Sequence, residues 1–148
     1  MPSILLVAHA PLASTLLTVA QHTYADCAAR VKAVDVPPQM SADDAASCIA
    51  AALKSLPDAD VLVMVDAFGA TPCNAALAAV EGLSARVVTG VNVPMLWRTL
   101  CYAHLPLSEL VTRAVDGARQ GIMQVAGARR QNQPNRPTAH DPDANPDQ

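Results

Sequence analysis

Apolar positions along this chain gather into short unbroken runs, separated by stretches in which they recur at helical spacing. Ser3-Ile4-Leu5-Leu6-Val7-Ala8 and Val61-Leu62-Val63-Met64-Val65 are runs of strand length, as expected of strands inside a sheet covered on both faces. Val31 to Val36 reads as a further strand, stopped by Pro37-Pro38, since proline cannot continue a ladder. Strands three and four are expected at Asp60 to Val65 and Ala85 to Thr89.

Helical patterning fills the intervals. Leu12, Leu16, Leu17 and Ala20 share a face of a helix beginning near Pro11. Ser41 suits an N-cap, with Asp43 and Asp44 at the positive end of a helix running to about Ser55. Thr71-Pro72 reads as an N-cap and a proline at the first helical position, opening a helix to about Val80. Val93-Pro94 opens another, carrying Met95, Leu96, Leu100 and Tyr102, and Leu107 to Arg119 follows, ending near Gly121. Ile122 to Val125 is expected as a last short strand. From Arg129 the large aliphatics vanish and Gln, Asn, Pro, Asp and Arg take over. A segment of that composition cannot bury enough apolar area to offset its ordering entropy. The expectation is one domain over residues 1–128 and a disordered tail over 129–148.

Alternating strands and helices predict a doubly wound α/β fold, mainly parallel, with right-handed crossovers and helices on both faces. With strand order 2-1-3-4, strands one and three would be neighbours whose following helices lie on opposite faces. The crevice at their C-terminal ends is where such folds bind ligands. His9 ends the first strand and Asp66 follows the third.

Composition narrows the classes. Over 148 residues, 51% are apolar and only 3% aromatic, so the core is built from small aliphatic side chains. A net charge of −3 gives no general attraction to nucleic acid or an anionic membrane. Cys27, Cys48, Cys73 and Cys101 form no C-x-x-C, a spacing suited neither to zinc nor to a disulfide scaffold. No signal-peptide pattern opens the chain, and no apolar stretch approaches the ~20 residues that span a bilayer. A soluble cytoplasmic protein with reduced thiols is expected.

An imidazole whose one ring nitrogen donates to a carboxylate presents the other as a nucleophile. Asp66 could fix His9 in this way and stabilise the ring as it gains charge. Thr71 and the unpaired N–H groups of its helix offer a site for an anion, and Gly69 permits close backbone approach. Together these would support phosphoryl transfer through phosphohistidine. Singly, each has an ordinary structural reading: an exposed histidine, a turn-forming aspartate, a capped helix.

Three blocks of the sequence resemble the signature blocks of the mannose-family EIIA domain, a phosphocarrier of the bacterial phosphoenolpyruvate-dependent sugar phosphotransferase system (PTS). They are Val7-Ala8-His9-Ala10-Pro11-Leu12-Ala13, Asp66-Ala67-Phe68-Gly69-Ala70-Thr71-Pro72-Cys73-Asn74 and Thr89-Gly90-Val91-Asn92-Val93-Pro94-Met95-Leu96. The resemblance spans roughly residues 3 to 125. It implies strand order 2-1-3-4, a homodimer, and a C-terminal strand that can exchange between subunits. It implies that His9 receives a phosphoryl group from phospho-HPr and passes it to an EIIB component, without a cofactor or metal. Asp66 matches the orienting carboxylate and Thr71 the hydroxyl near the phosphate, with Gly69 and Ala70 beside it. Phe68, Asn92 and Met95 match a partner-facing or site-closing loop.

Ala10 and Ala70 depart from the family, which usually has glycine at both places. If either needed positive φ, alanine would cost about 1 kcal/mol or more. Cys73 could form a Cys–His pair, although the resemblance gives it no reactive role. His22, His104 and His140 read as ordinary helix, loop or tail residues, and Trp97 and Tyr102 as packing residues. Two other functions fit the same site: a regulator that uses the phosphorylation state of His9 without sugar transport, and the phosphoryl-donor subunit of a dihydroxyacetone kinase.

Overall fold

The two continuous apolar runs form the centre of the sheet. In the computed structural model, which describes residues 1–126 (27 and 28 in backbone only), Ser3–His9 is β1 and Val61–Val65 is β3. They pair in parallel from Ser3 opposite Val61 to Val7 opposite Val65. β2 (Val31–Val36) flanks β1 and β4 (Ala85–Thr89) flanks β3, both in parallel, giving the order β2-β1-β3-β4. This is the expected doubly wound α/β arrangement. The expected tail over 129–148 lies outside the described residues.

Helices cover both faces of the sheet. Ile4, Leu6, Ala8, Leu62 and Met64 pack against α1 (Leu12–Thr23), α4 (Val93–Cys101) and α5 (Leu107–Gln120). Leu5, Val7, Val61, Val63 and Val65 pack against α2 (Ala42–Lys54) and α3 (Thr71–Ala79). All of these strand residues are at most 4% exposed, which is why their sequence lacks polar alternation. A 3₁₀ turn over Ala25–Arg30, not signalled by the sequence pattern, links α1 to β2.

Local chemistry fixes the start of α2. The Ser41 hydroxyl accepts from the Asp44 N–H at 3.1 Å and donates to its carboxylate at 2.8 Å. α3 begins one residue earlier than the Thr71-Pro72 pattern suggests. Ala70 occupies the cap position in extended backbone (φ −87°, ψ 167°), and its carbonyl accepts the Asn74 N–H at 3.0 Å. Pro72 still falls where a missing N–H costs nothing. No side chain caps this helix.

Glycine lets α4 and α5 touch. A Cβ at Gly117 would lie 2.5 Å from Arg98 Cβ, and one at Gly121 would lie 2.3 Å from Pro94 Cγ. The last strand expected at Ile122–Val125 does not form. These residues continue past α5 without strand pairing, and Ile122, Met123 and Val125 are 75%, 70% and 81% exposed. A strand needs an edge to satisfy its N–H and C=O groups, and within one copy this segment pairs with none.

Candidate functional site

The register that joins β1 to β3 ends at Val7 and Val65, so His9 and Asp66 emerge just beyond it at the same sheet edge. α1 and α3, which follow them, lie on opposite faces. The site therefore occupies the topological switch point, where chain segments diverge and leave a crevice.

Asp66 is held by three donors. Its Oδ2 accepts from His9 Nδ1 at 2.7 Å and from the His9 backbone N–H at 3.0 Å, while Oδ1 accepts from the Ala67 N–H at 2.9 Å. One carboxylate oxygen thus ties the ring to its own backbone and fixes its orientation. Nδ1 carries the proton in this contact, because an ionised carboxylate only accepts. Nε2 then presents a lone pair. The Asp66 side chain is 12% exposed and that of His9 is 51% exposed, so the buried partner orients an imidazole that visitors can reach.

Burial works to raise the Asp66 pKa, but the hydrogen bonds and charge of His9 and the Ala67 N–H outweigh it, holding the carboxyl below its ordinary value of 3.8. Asp58, at the other end of the sheet, is also held low, by the Ser3 hydroxyl and by Arg30. A carboxyl whose pKa is depressed on folding stabilises the protein above its unfolded value and loses that contribution as pH falls through the folded value. The urea midpoint is therefore expected to change little from neutral pH to about 5 and to fall progressively below about 4. Asp66→Asn should flatten part of that fall. A midpoint rising into acid would contradict the assignment.

The β3–α3 loop brings the remaining second-block residues to this edge. Gly69 adopts φ +77°, and a Cβ there would meet nothing within 4 Å. Its requirement is therefore backbone conformation rather than close approach. Ala70 has φ −87°, and no non-glycine residue among those described has positive φ, so neither Ala10 nor Ala70 is strained. Thr71 stands exposed in the first turn of α3, which contains no acidic residue. Phe68 is 83% exposed.

The third block begins at this same edge, where β4 ends and the Val91 N–H donates to the Val65 carbonyl at 3.0 Å. The Asn92 side chain caps α4 by accepting from the Met95 N–H at 2.8 Å, and donates to the Ala118 carbonyl at 3.3 Å. Met95 itself is 1% exposed in the core. These two residues join α4 to α5 and the sheet. Cys73 is likewise a core residue, 1% exposed against α2 and the sheet.

One residue at this edge escaped the sequence reading. Asp35, near the end of β2, accepts the Ser14 N–H of α1 at 3.1 Å. An acidic residue inside the otherwise apolar run Val31–Val36, just before Pro37, was the available signal.

Solved structures share this architecture. The chain superposes on a phosphotransferase system component EIIA from Streptococcus agalactiae with TM-score 0.74 at 21% identity, covering 84% of this chain and 97% of that one. It superposes on the mannose/sorbose specific IIA subunit from Enterococcus faecalis with TM-score 0.75 at 24% identity, covering 84% and 95%. For the PTS IIA protein associated with the fucose utilization operon of Streptococcus pneumoniae the values are 0.65 and 27%, covering 78% and 93%. No curated protein matches the chain. No helix among the described residues is long and apolar enough to cross a membrane. The family model for EIIA-man, the PTS system fructose IIA component, matches residues 3–115, and the chain belongs to that family of phosphoryl-carrying components of the sugar phosphotransferase system.

Proposed function

We propose that this chain carries its phosphoryl group on Nε2 of His9, receiving it from phospho-HPr in the cytoplasm and delivering it to an EIIB protein. The observation that carries the reading is the 2.7 Å bond from His9 Nδ1 to Asp66 on a half-exposed ring. It removes one nitrogen from the chemistry and aims the other outward.

In the forward step the Nε2 lone pair forms a bond to phosphorus as the donor's N–P bond breaks. The electron pair of that bond returns to the donor imidazole. The proton on His9 Nδ1 stays in place, and the ring gains positive charge that the Asp66 carboxylate balances. Catalysis is then positioning and charge stabilisation, as phosphoryl transfer generally is. The transferred oxygens can lean on the first turn of α3, where Thr71 supplies a hydroxyl and the uncapped N–H groups supply a positive end. Delivery to EIIB reverses the same displacement. Incubation with phosphoenolpyruvate, enzyme I and HPr, read by intact mass, should add one acid-labile phosphate per chain. No added mass would refute the reading.

Phe68 suits contact with these protein partners, since an exposed aromatic beside a reactive group resembles the anchors that dominate interfaces. Phe68→Ala should leave the denaturation midpoint unchanged and raise the HPr concentration for half-maximal rate about tenfold. An unchanged concentration dependence would remove Phe68 from the docking surface.

The exposed Ile122–Val125 segment fits exchange between two copies, each placing it as a strand along the other's sheet edge. Sedimentation should give a dimer, and lysine at both Ile122 and Val125 should shift it toward monomer. A wild-type monomer at micromolar concentration would count against exchange.

A further inference from the structure

The strands on either side of β1 each lead to a carboxylate near this edge, and only Asp66 touches His9. Strand order puts β3 and Asp66 on one side of β1, and β2 on the other. Parallel pairing sets Asp35 opposite Ala8 and Val36 opposite His9, and the Ala10 N–H donates to the Val36 carbonyl at 3.1 Å. Asp35 is thus one position from the strand residue that pairs with the reactive histidine.

Its carboxylate has a definite task in the free protein. α1 starts at Leu12 after Pro11, and no residue of its own cap position supplies a side-chain acceptor. The hydroxyls of Ser14 and Thr15 turn back to the Pro11 carbonyl at 3.0 and 2.8 Å, so they do not serve the helix N–H groups. Asp35 does so from the neighbouring strand, through the Ser14 N–H. Two helices therefore begin at this sheet edge with opposite endowments. α1 has its positive end answered by a carboxylate; α3 has no side-chain cap and no acidic residue in its first turn.

Resting on the reading of His9 as the phosphorylated residue, we propose that Asp35 is a positioning residue for the transfer. By occupying the end of α1 it directs the phosphoryl oxygens to α3. By placing a negative charge on the β2 flank it keeps the phosphohistidine from becoming too stable to pass on. Two effects act in the same direction. The carboxylate cancels the attraction that the positive end of α1 would exert on the anion, and it repels the anion directly. A neutral residue with the same capping geometry would remove both while leaving the fold intact.

The test measures an equilibrium that a purely structural cap does not move. The protein is mixed with HPr and a limiting amount of phospho-HPr, and the ratio of phosphorylated protein to phospho-HPr is read at equilibrium by intact mass. Asp35→Asn keeps an Oδ1 acceptor of the same reach for the Ser14 N–H, so its denaturation midpoint should stay near wild type. It should raise the phosphorylated ratio about threefold, as expected for one charge at a helix end. Asp35→Ala should raise it similarly and also lower the midpoint. A wild-type ratio in Asp35→Asn would overturn the proposal while leaving phosphorylation of His9 standing. No acid-labile label in the wild-type chain would overturn both.

Discussion

His9→Ala is expected to accept no phosphoryl group at all while folding as the parent does. Side-chain exposure of 51% means that little packing is lost. The Asp66 carboxylate keeps two of its three donors, the backbone N–H at position 9 and that of Ala67, so the β1–β3 edge retains its tie. Alternative nucleophiles are poorly placed. Cys73 is buried in the core, and the His104 ring lies 6.3 Å from that of Tyr102 on the α4–α5 connection. The contrast should be full loss of acid-labile phosphate with an unchanged urea midpoint. Labelling at the parent's level would end the assignment of His9, whatever the family.

Asp66→Asn should slow phosphorylation by about 10² to 10⁴-fold without abolishing it. An amide at this position can turn either way. With its NH2 toward Nδ1, the ring must accept there, and the proton moves to Nε2, blocking the lone pair that attacks phosphorus. With its carbonyl toward Nδ1, the tautomer survives but the charge that balances the developing imidazolium is gone. Both orientations impair the step, and neither removes the nucleophile. Asp66→Ala should be at least as slow and also less stable, by about 1–3 kcal/mol, since the His9 and Ala67 N–H groups lose their acceptor. Stopped-flow or quenched labelling would give the rates. A rate within twofold of wild type in both variants would exclude Asp66 from the mechanism.

The sequence announced the sheet because β1 and β3 are buried on both faces, so their side chains needed no polar alternation. It announced α2 because Ser41 and its two following acids are a cap with a local mechanism. His9 and Asp66, 57 positions apart, could be matched only because both end such strands. What stayed hidden depends on contacts between elements. The cap of α1 comes from another strand, so no local pattern around Pro11 contains it. Asn92 and Met95 lie in a signature block, yet one ties helices together and the other fills the core. The cap of α3 moved to Ala70 because backbone geometry, rather than the hydroxyl of Thr71, sets the first helical bond. Ile122–Val125 has the composition of a strand, but composition cannot supply an edge to pair with.

The half-open position of the His9 ring also has a consequence in time. A nitrogen–phosphorus bond formed on such a ring is within reach of water as well as of a partner. The charged protein should therefore run down by itself in the absence of an acceptor. Its lifetime then acts as a clock: a fast acceptor collects nearly every phosphoryl group, and a slow one loses a share to hydrolysis. How full the pool stands at any moment would report the balance between fuelling and leak, as well as the demand for sugar.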